Sequence, residues 1–293
     1  MTIVLAKPNY KYAELKGSED SSKYKGCVFA VADGITRDPK EALDFRGKSE
    51  EEVLKYYPYP SGARKAADLF TQIFIESINI NSDVTEQTIA KAFTHANKGI
   101  EEYNNNANKD IDYLANDYFA CVASAGVIFN KKLFWGYVCD CGVMVVDKEL
   151  SVKFRTPDDF EEFHKVFAKW AEQNHKEIIW GDPSDRQLWR REFRNSDKHL
   201  IDGEVVSFGA LTGEKSAEEF VKTGILDLDS GDTVIFYSDG FKESLEDKDF
   251  LMTLKDSLSK DELKVLETKD EELAYKDNKR FGMERTLIAT VVK

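Results

Sequence analysis

Val28-Phe29-Ala30-Val31-Ala32-Asp33-Gly34 is an apolar run that stops at a carboxylate followed by glycine. The same pattern returns about two hundred residues later as Val234-Ile235-Phe236-Tyr237-Ser238-Asp239-Gly240. A short run rich in β-branched and aromatic side chains specifies a buried strand, and the glycine permits a turn after it. Each unit puts a carboxylate at the tip of a rigid strand. Two such tips brought together would offer the oxygen ligands that a hard divalent cation prefers. A lone Asp-Gly reads equally well as a turn whose side chain bonds its own backbone. The repetition, with Glu19-Asp20 upstream, favours the metal reading.

Outward from the first run, residues 24–34 read as one strand. Residues 35–60, with Pro39, Pro58 and Pro60, read as a long polar loop with a short helix around Glu50–Lys55. So long a loop directly after a candidate ligand is more often functional than idle. Ala63, Ala66, Ala67, Phe70, Ile73, Phe74 and Ile78 recur at helical spacing over Ser61–Ile78. Ile89, Ala92, Phe93, Ala96 and Ile100 do the same over Thr85–Tyr103, with Thr85 as cap. The period then becomes two. Tyr118–Phe129 and Leu133–Cys139 read as strands joined at Asn130-Lys131-Lys132, followed by Val143–Val146 and Val152–Phe154. Residues 158–173 and 184–194 return to helix. Val205–Phe208, a strand opening at Asp232-Thr233, a helix from Asp247 to Ser257 and a strand from Thr286 to Val292 complete the order. Neighbouring strands separated by helix pairs specify α+β, with helices covering antiparallel sheets, rather than a regular βαβ alternation.

The chain has 293 residues, 42% of them hydrophobic, with 19 Phe and 12 Tyr, enough for a sizeable core. Its net charge of -13 argues against nucleic acid or an anionic membrane surface as partner, since both call for a basic patch. Cys27, Cys121, Cys139 and Cys141 sit in or beside apolar runs without zinc-type spacing, which implies reduced thiols and a cytoplasmic setting. The N-terminal stretch breaks at Lys7-Pro8 and predicts no signal peptide. No run approaches the ~20 apolar residues of a membrane span. His95, His164, His175 and His199 lack ligand spacing. No Gly-x-Ser-x-Gly elbow occurs, and the glycine-rich Ser207–Gly213 lacks the Lys-Ser/Thr ending of a phosphate loop. The stripe Phe160, Phe163, Phe167, Trp170 reads as core. Trp180, Trp189 and Phe193, flanked by Arg186, Arg190, Arg191 and Arg194, fit a cleft cover or partner dock and equally a solvated basic helix.

Several segments taken in order carry a family resemblance. They are Gly17-Ser18-Glu19-Asp20, Phe29–Gly34, Trp135-Gly136-Tyr137-Val138-Cys139-Asp140, Leu226–Asp232, Ser238-Asp239-Gly240 and Met283-Glu284-Arg285-Thr286. Their order and spacing, more than any one of them, resemble the metal-dependent Ser/Thr protein phosphatases of the PPM (protein phosphatase 2C) type, over roughly residues 14–292. The resemblance implies a four-layer α-β-β-α sandwich: two mainly antiparallel sheets flanked by helix pairs, in a single domain 1–293 with a helical insertion at about 157–200. It implies two Mg²⁺ or Mn²⁺ ions, with a third in some members. Asp33 would bridge the pair, the Gly34 carbonyl would ligate one ion, and Asp239 and Glu284 the other. Glu19 and Asp20 would orient the ions' waters, and Asp140 with Glu243 matches the third position. The implied reaction is attack of metal-activated water on phosphoserine or phosphothreonine of a protein, with no covalent enzyme intermediate.

The chain departs from that pattern at defined places. Leu15 stands where the family carries a phosphate-gripping arginine, so Lys11, Lys16 or Arg37 would have to serve. Cys139-Asp140-Cys141-Gly142 replaces Gly-Asp-Ser-Arg. Met283 occupies the strict register of the last metal-binding aspartate, so Glu284 would have to reach in from the next position. These departures leave open a catalytically degenerate pseudophosphatase that binds a phosphoprotein or regulatory partner, and also a small-molecule phosphatase. They do not specify an oligomeric state.

Overall fold

The computed structural model describes residues 1–15, 17–35, 48–49, 51–52, 55, 60–107, 119–177 and 183–293, with backbone only for 183–186. Strands and helices are numbered along the chain. One sheet carries, in spatial order, β1 (Thr2–Lys7), β12 (Arg285–Val291), β11 (Thr233–Tyr237), β6 (Gly142–Val146) and β7 (Val152–Arg155). The other carries β10 (Lys222–Asp227), β5 (Lys132–Val138), β4 (Cys121–Phe129), β3 (Val28–Gly34) and β2 (Ser21–Lys25). Every pairing within both sheets is antiparallel.

Period-two alternation assigns the faces. Phe29 and Val31 of β3 point inward to meet Val143, Val145, Val234, Phe236 and Ile288 of the other sheet. The Phe29 and Phe236 rings stack with centroids 5.6 Å apart and pin the two sheets together. Ala30 and Ala32 point outward, and with Ala123 and Ala125 of β4 they make a flat, small-residue surface. Helices α1 (Gly62–Ser77) and α2 (Glu86–Ala107) lie on it through Phe70, Phe74, Ile89 and Phe93. On the far side, α5 (Lys248–Lys260) and α6 (Leu263–Lys276) cover Ile3, Leu5, Met144, Ile235 and Leu287. Both sheets are thus covered on both faces, which is why β3, β6, β11 and β12 read as nearly continuous apolar runs. The architecture is the α+β, four-layer sandwich expected from the sequence.

Local details differ from the sequence reading. The stretch expected as one strand over 24–34 is a hairpin: β2 and β3 turn at Gly26, whose φ of +61° suits glycine. β1, β10 and α6 lie where no element was expected; charged residues broke the apolar pattern of α6. The turn at Asn130-Lys131 is left-handed at both residues (φ 49° and 58°), the geometry of a tight two-residue hairpin. The loop expected over 35–60 lies largely outside the described residues.

Between β7 and β10 the chain forms α3 (Asp159–Gln173), α4 (Pro183–Glu192) and a small ribbon of β8 (Leu200–Ile201) and β9 (Glu204–Val205). Phe163, Phe167, Trp170, Phe193 and Val206 give these elements their own apolar cluster, as the aromatic stripe implied. Arg194, at the end of this basic stretch, is no solvated side chain: it is 6% exposed and lies 3.6 Å from Glu214. Among the described residues no helix is long and apolar enough to cross a membrane.

Candidate metal centre

Sheet register alone gathers the acidic residues. Ser21 at the start of β2 pairs with Ala32 near the end of β3. Tyr237 at the end of β11 pairs with Gly142 at the start of β6 and with Leu287 near the start of β12. Glu19-Asp20, Asp33, Asp239 and Glu284 therefore all emerge at one end of the sandwich. Asp140 joins them because β5 and β6 belong to different sheets, so Cys139-Asp140-Cys141 crosses the seam there.

The two strand-tip carboxyl groups lie close enough to act on one another: the Asp239 charge raises the Asp33 pKa, and Asp33 bears on Asp239 in turn. Burial drives the Asp33 pKa well above the ordinary carboxylate range, and Asp20, Asp239, Asp140 and Glu284 push it further by like-charge repulsion. Burial also raises Asp140, with Asp239 and Asp158 adding to it. Asp239 is raised by burial despite hydrogen bonds from Asp33 and the Gly240 backbone. Asp20 is pushed up to about 7 by burial and then by Glu284. A cluster of this kind holds protons or a cation at neutral pH. The acceptor oxygens Asp20 Oδ1 and Asp140 Oδ1 are buried without a hydrogen-bond partner among the described residues, so the residues present fit a hard divalent cation. No three His, Cys, Asp or Glu groups among the described residues close into a ready-made cage. Carboxylates that hold hydrated Mg²⁺ need not form one, because water fills much of the coordination sphere.

The glycines after the two aspartates work by absence of bulk. Neither Gly34 nor Gly240 has positive φ. A Cβ on Gly34 would lie 2.6 Å from the Ala63 backbone and 2.8 Å from the Glu19 carbonyl oxygen. A Cβ on Gly240 would collide with the Glu284 backbone. At Asp239 the turn reading of the sequence holds, since residues 239–241 form a single 3-10 turn; close approach adds to it, each glycine letting another acid-bearing segment pass against the strand tip.

A second ring of hydrogen bonds fixes the acids. Ser238 Oγ donates to Asp20 Oδ2 at 2.6 Å and accepts the Thr286 N–H at 2.9 Å, tying β2, β11 and β12 together. Ser61 caps α1 by accepting the Arg64 N–H at 3.0 Å and donates its hydroxyl to Glu19. Glu284 Oε1 accepts the Asp20 N–H and the Ser18 hydroxyl, each at 2.7 Å, and also the Glu19 N–H. Glu284 thus spends one oxygen on the Ser18 hydroxyl and the 19–20 backbone while still bearing on Asp20 and Asp33. Arg64 Nη1 donates to the Asp20 carbonyl at 2.6 Å, and its Nε lies 3.1 Å from Asp68 Oδ2. Sequence reasoning missed Ser61, Arg64 and Ser238. Ser61 carried a usable signal, a serine directly before a helical pattern; the other two depend on tertiary contact.

Beside Asp140 and Asp239 lies an open cleft of ≈ 290 Å³, walled by Phe160, His164, Lys242 and Met283. Met283, where the family register would have placed an aspartate, lines it with an exposed side chain. Lys242 Nζ reaches Asp158 Oδ2 and Glu161 Oε2, both at 2.7 Å, and so fastens the first turn of α3 to the Asp239 turn. This pairing draws the Glu161 carboxyl down to about 2. Glu243, expected beside a third ion, lines the cleft and accepts from Arg280 Nε at 2.7 Å. Lys16 and Arg37, expected to contact phosphate, lie outside the described residues.

A two-sheet sandwich whose strand tips converge on carboxylates is the fold of the PPM-type serine/threonine phosphatases, and this chain adopts it. Among solved structures it is similar to the Mycobacterium tuberculosis serine/threonine phosphatase PstP/Ppp, at 15% identity and TM-score 0.59, covering 100% of this chain and 99% of that one. A PstP catalytic domain in complex with two manganese ions matches at 16% identity and TM-score 0.56, over 100% and 98% of the two chains. Stp1 from Staphylococcus aureus matches at 12% identity and TM-score 0.59, over 100% and 94%. No protein-family model and no curated protein matches the sequence.

Proposed function

We propose that the chain is a divalent-cation-dependent phosphomonoester hydrolase acting on phosphoserine or phosphothreonine in proteins. The observation that carries this is the convergence of Asp20, Asp33, Asp140, Asp239 and Glu284 at one end of the sandwich, set by strand register and close enough for their charges to repel. Mg²⁺ or Mn²⁺, when bound, would supply Lewis-acid polarisation of a phosphoryl oxygen and a more acidic water. Two ions are the expectation, on the precedent of the manganese-bound PstP domain.

In this reading Asp33, the Gly34 carbonyl and Asp239 hold the principal pair, with Glu284 as the remaining protein ligand. Asp140, with Glu243 at the cleft wall, serves a third ion. Glu19 and Asp20 orient water, and their own orientation comes from Ser61 and Ser238. Lys16 and Arg37 remain candidates for phosphate contact. Preorganised charge would supply most of the rate. Residues 1–293 act as one domain with 157–200 as an insertion beside the cleft, a reading supported by the apolar seam that both sheets share.

A binding-only pseudophosphatase is the second reading, favoured by the engagement of Glu284 Oε1 with the Ser18 hydroxyl and the Glu19 and Asp20 N–H groups. Hydrolysis of p-nitrophenyl phosphate and of a phosphothreonine peptide separates the two. The hydrolase reading expects Mn²⁺-dependent turnover that disappears with EDTA. Wild-type protein that binds Mn²⁺ yet turns over neither substrate with any divalent ion leaves only the binding module.

A further inference from the structure

We propose that Arg280 is the contact for the substrate's anion in the cleft, its guanidinium fork receiving the phosphoryl oxygens of a phosphoserine or phosphothreonine side chain. The proposal rests on the phosphatase reading and names the residue that would bind the substrate.

Two cationic side chains among the described residues line the cleft beside Asp140 and Asp239, Lys242 and Arg280. Lys242 is committed: its ammonium lies 2.7 Å from each of two carboxylates. Burial lowers the His164 pKa, which disfavours its charged form. Arg280 differs from both. Its Nε donates to Glu243 Oε2 at 2.7 Å and its guanidinium carbon lies 5.0 Å from the Phe281 ring centroid. These two contacts orient the guanidinium plane. Among the described residues its two Nη groups have no acceptor, and 54% of the side chain is exposed. An oriented planar fork with two uncommitted donor groups suits bidentate binding of a phosphoryl group, which a lysine cannot reproduce.

The backbone beneath Arg280 is also held. It lies on α7 (Asn278–Phe281), where Asp277 caps the Lys279 and Arg280 N–H groups. Immediately beyond, the Gly282 carbonyl accepts the Tyr10 N–H at 2.8 Å and the Met283 carbonyl accepts Arg285 Nη1 at 2.7 Å. Arg285 is itself locked on Asp270 in a buried pair. A surface pair such as Arg280–Glu243 adds little stability; what it does here is hold the guanidinium at the wall of a cleft that Asp140 and Asp239 also line.

The test uses the full chain loaded with Mn²⁺ and compares wild type with Arg280→Ala, Arg280→Lys and Lys279→Ala. The last changes an exposed cation on the same short helix that does not line the cleft. Three quantities are read: inorganic phosphate affinity by calorimetry, the KM and kcat split on a phosphothreonine peptide, and Mn²⁺ affinity. The proposal expects Arg280→Ala to weaken phosphate binding and raise KM by about tenfold or more, the scale of losing charge-assisted hydrogen bonds, with Mn²⁺ affinity unchanged. Arg280→Lys falls between, and Lys279→Ala matches wild type. Unchanged phosphate affinity in Arg280→Ala overturns it, as does a raised peptide KM without weaker phosphate binding, which would put the fork on a flanking acidic residue. Loss of Mn²⁺ binding in Arg280→Ala also overturns it. If wild type binds phosphate but does not turn over, the phosphatase reading fails while the titration still judges Arg280.

Discussion

Asp33 carries the account at the residue scale. In the cation-free protein its carboxyl group is half-buried and repelled by Asp20, Asp239, Asp140 and Glu284, so ionisation opposes folding. The sign follows from proton linkage: with folded-state pKa values raised, the native state binds more protons than the unfolded chain above pH 3.8. Stability of the EDTA-treated protein therefore falls as pH rises from 3.8 towards about 7, the position of Asp20. Thermal unfolding between pH 5 and pH 8 should show a declining midpoint with EDTA and a recovery with Mn²⁺ that grows with pH. A midpoint that rises over this range without metal contradicts the reading. Asp33→Asn should raise the EDTA midpoint at pH 7.5 while abolishing Mn²⁺ binding and lowering kcat on p-nitrophenyl phosphate by roughly a hundredfold or more, several kcal/mol of charge stabilisation. Asp239→Asn should do the same. Full activity in both variants would sink the metal assignment.

Elements explain why these residues meet. Small outward residues on β3 and β4 let α1 lie close enough for Ser61 to reach Glu19 and for Ala63 to pass against Gly34. Phe70 fills the space between α1, α2 and that surface, stacking on Phe74 and tilting against Phe93 at 5.0 Å. Phe70→Ala should cost roughly 3–5 kcal/mol in chemical denaturation, and Mn²⁺ should recover part of it by binding the native state. A loss below about 0.5 kcal/mol, the range of tolerated surface changes, would mean the helix layer is not packed as described. At the β2–β3 turn the demand is backbone geometry: Gly26 has φ +61° and open space around it. Gly26→Ala should cost about 1–2 kcal/mol through left-handed strain alone, read as a shifted urea midpoint with an unchanged slope. Lys242 works between elements, holding α3 at the cleft through Asp158 and Glu161.

At the scale of the whole molecule, much was legible in the sequence. The two strand–Asp-Gly units predicted where the sheets end, because continuous apolar runs imply burial on both faces. Glu19, Asp20, Asp33, Asp140, Asp239 and Glu284 could all be named in advance, since short polar breaks beside such runs mark strand ends. Less was legible where the pattern is not local. β1 and β10 sit at sheet edges with mixed exposure, so their periodicity was faint. α6 buries few residues along a charged helix. Arg64 looked like one more helical cation, and only the fold brings it to the Asp20 carbonyl. Arg280 was unreadable because its value depends on Glu243, 37 residues earlier in the chain, meeting it across the cleft.

The most direct measurement is a crystal of the full chain soaked in Mn²⁺, with anomalous scattering recorded at the manganese edge. Paired peaks are expected between the Asp33 and Asp239 carboxylates, beside the Gly34 carbonyl. Manganese bound elsewhere on the surface, or no ordered manganese at all, would contradict the metal assignment.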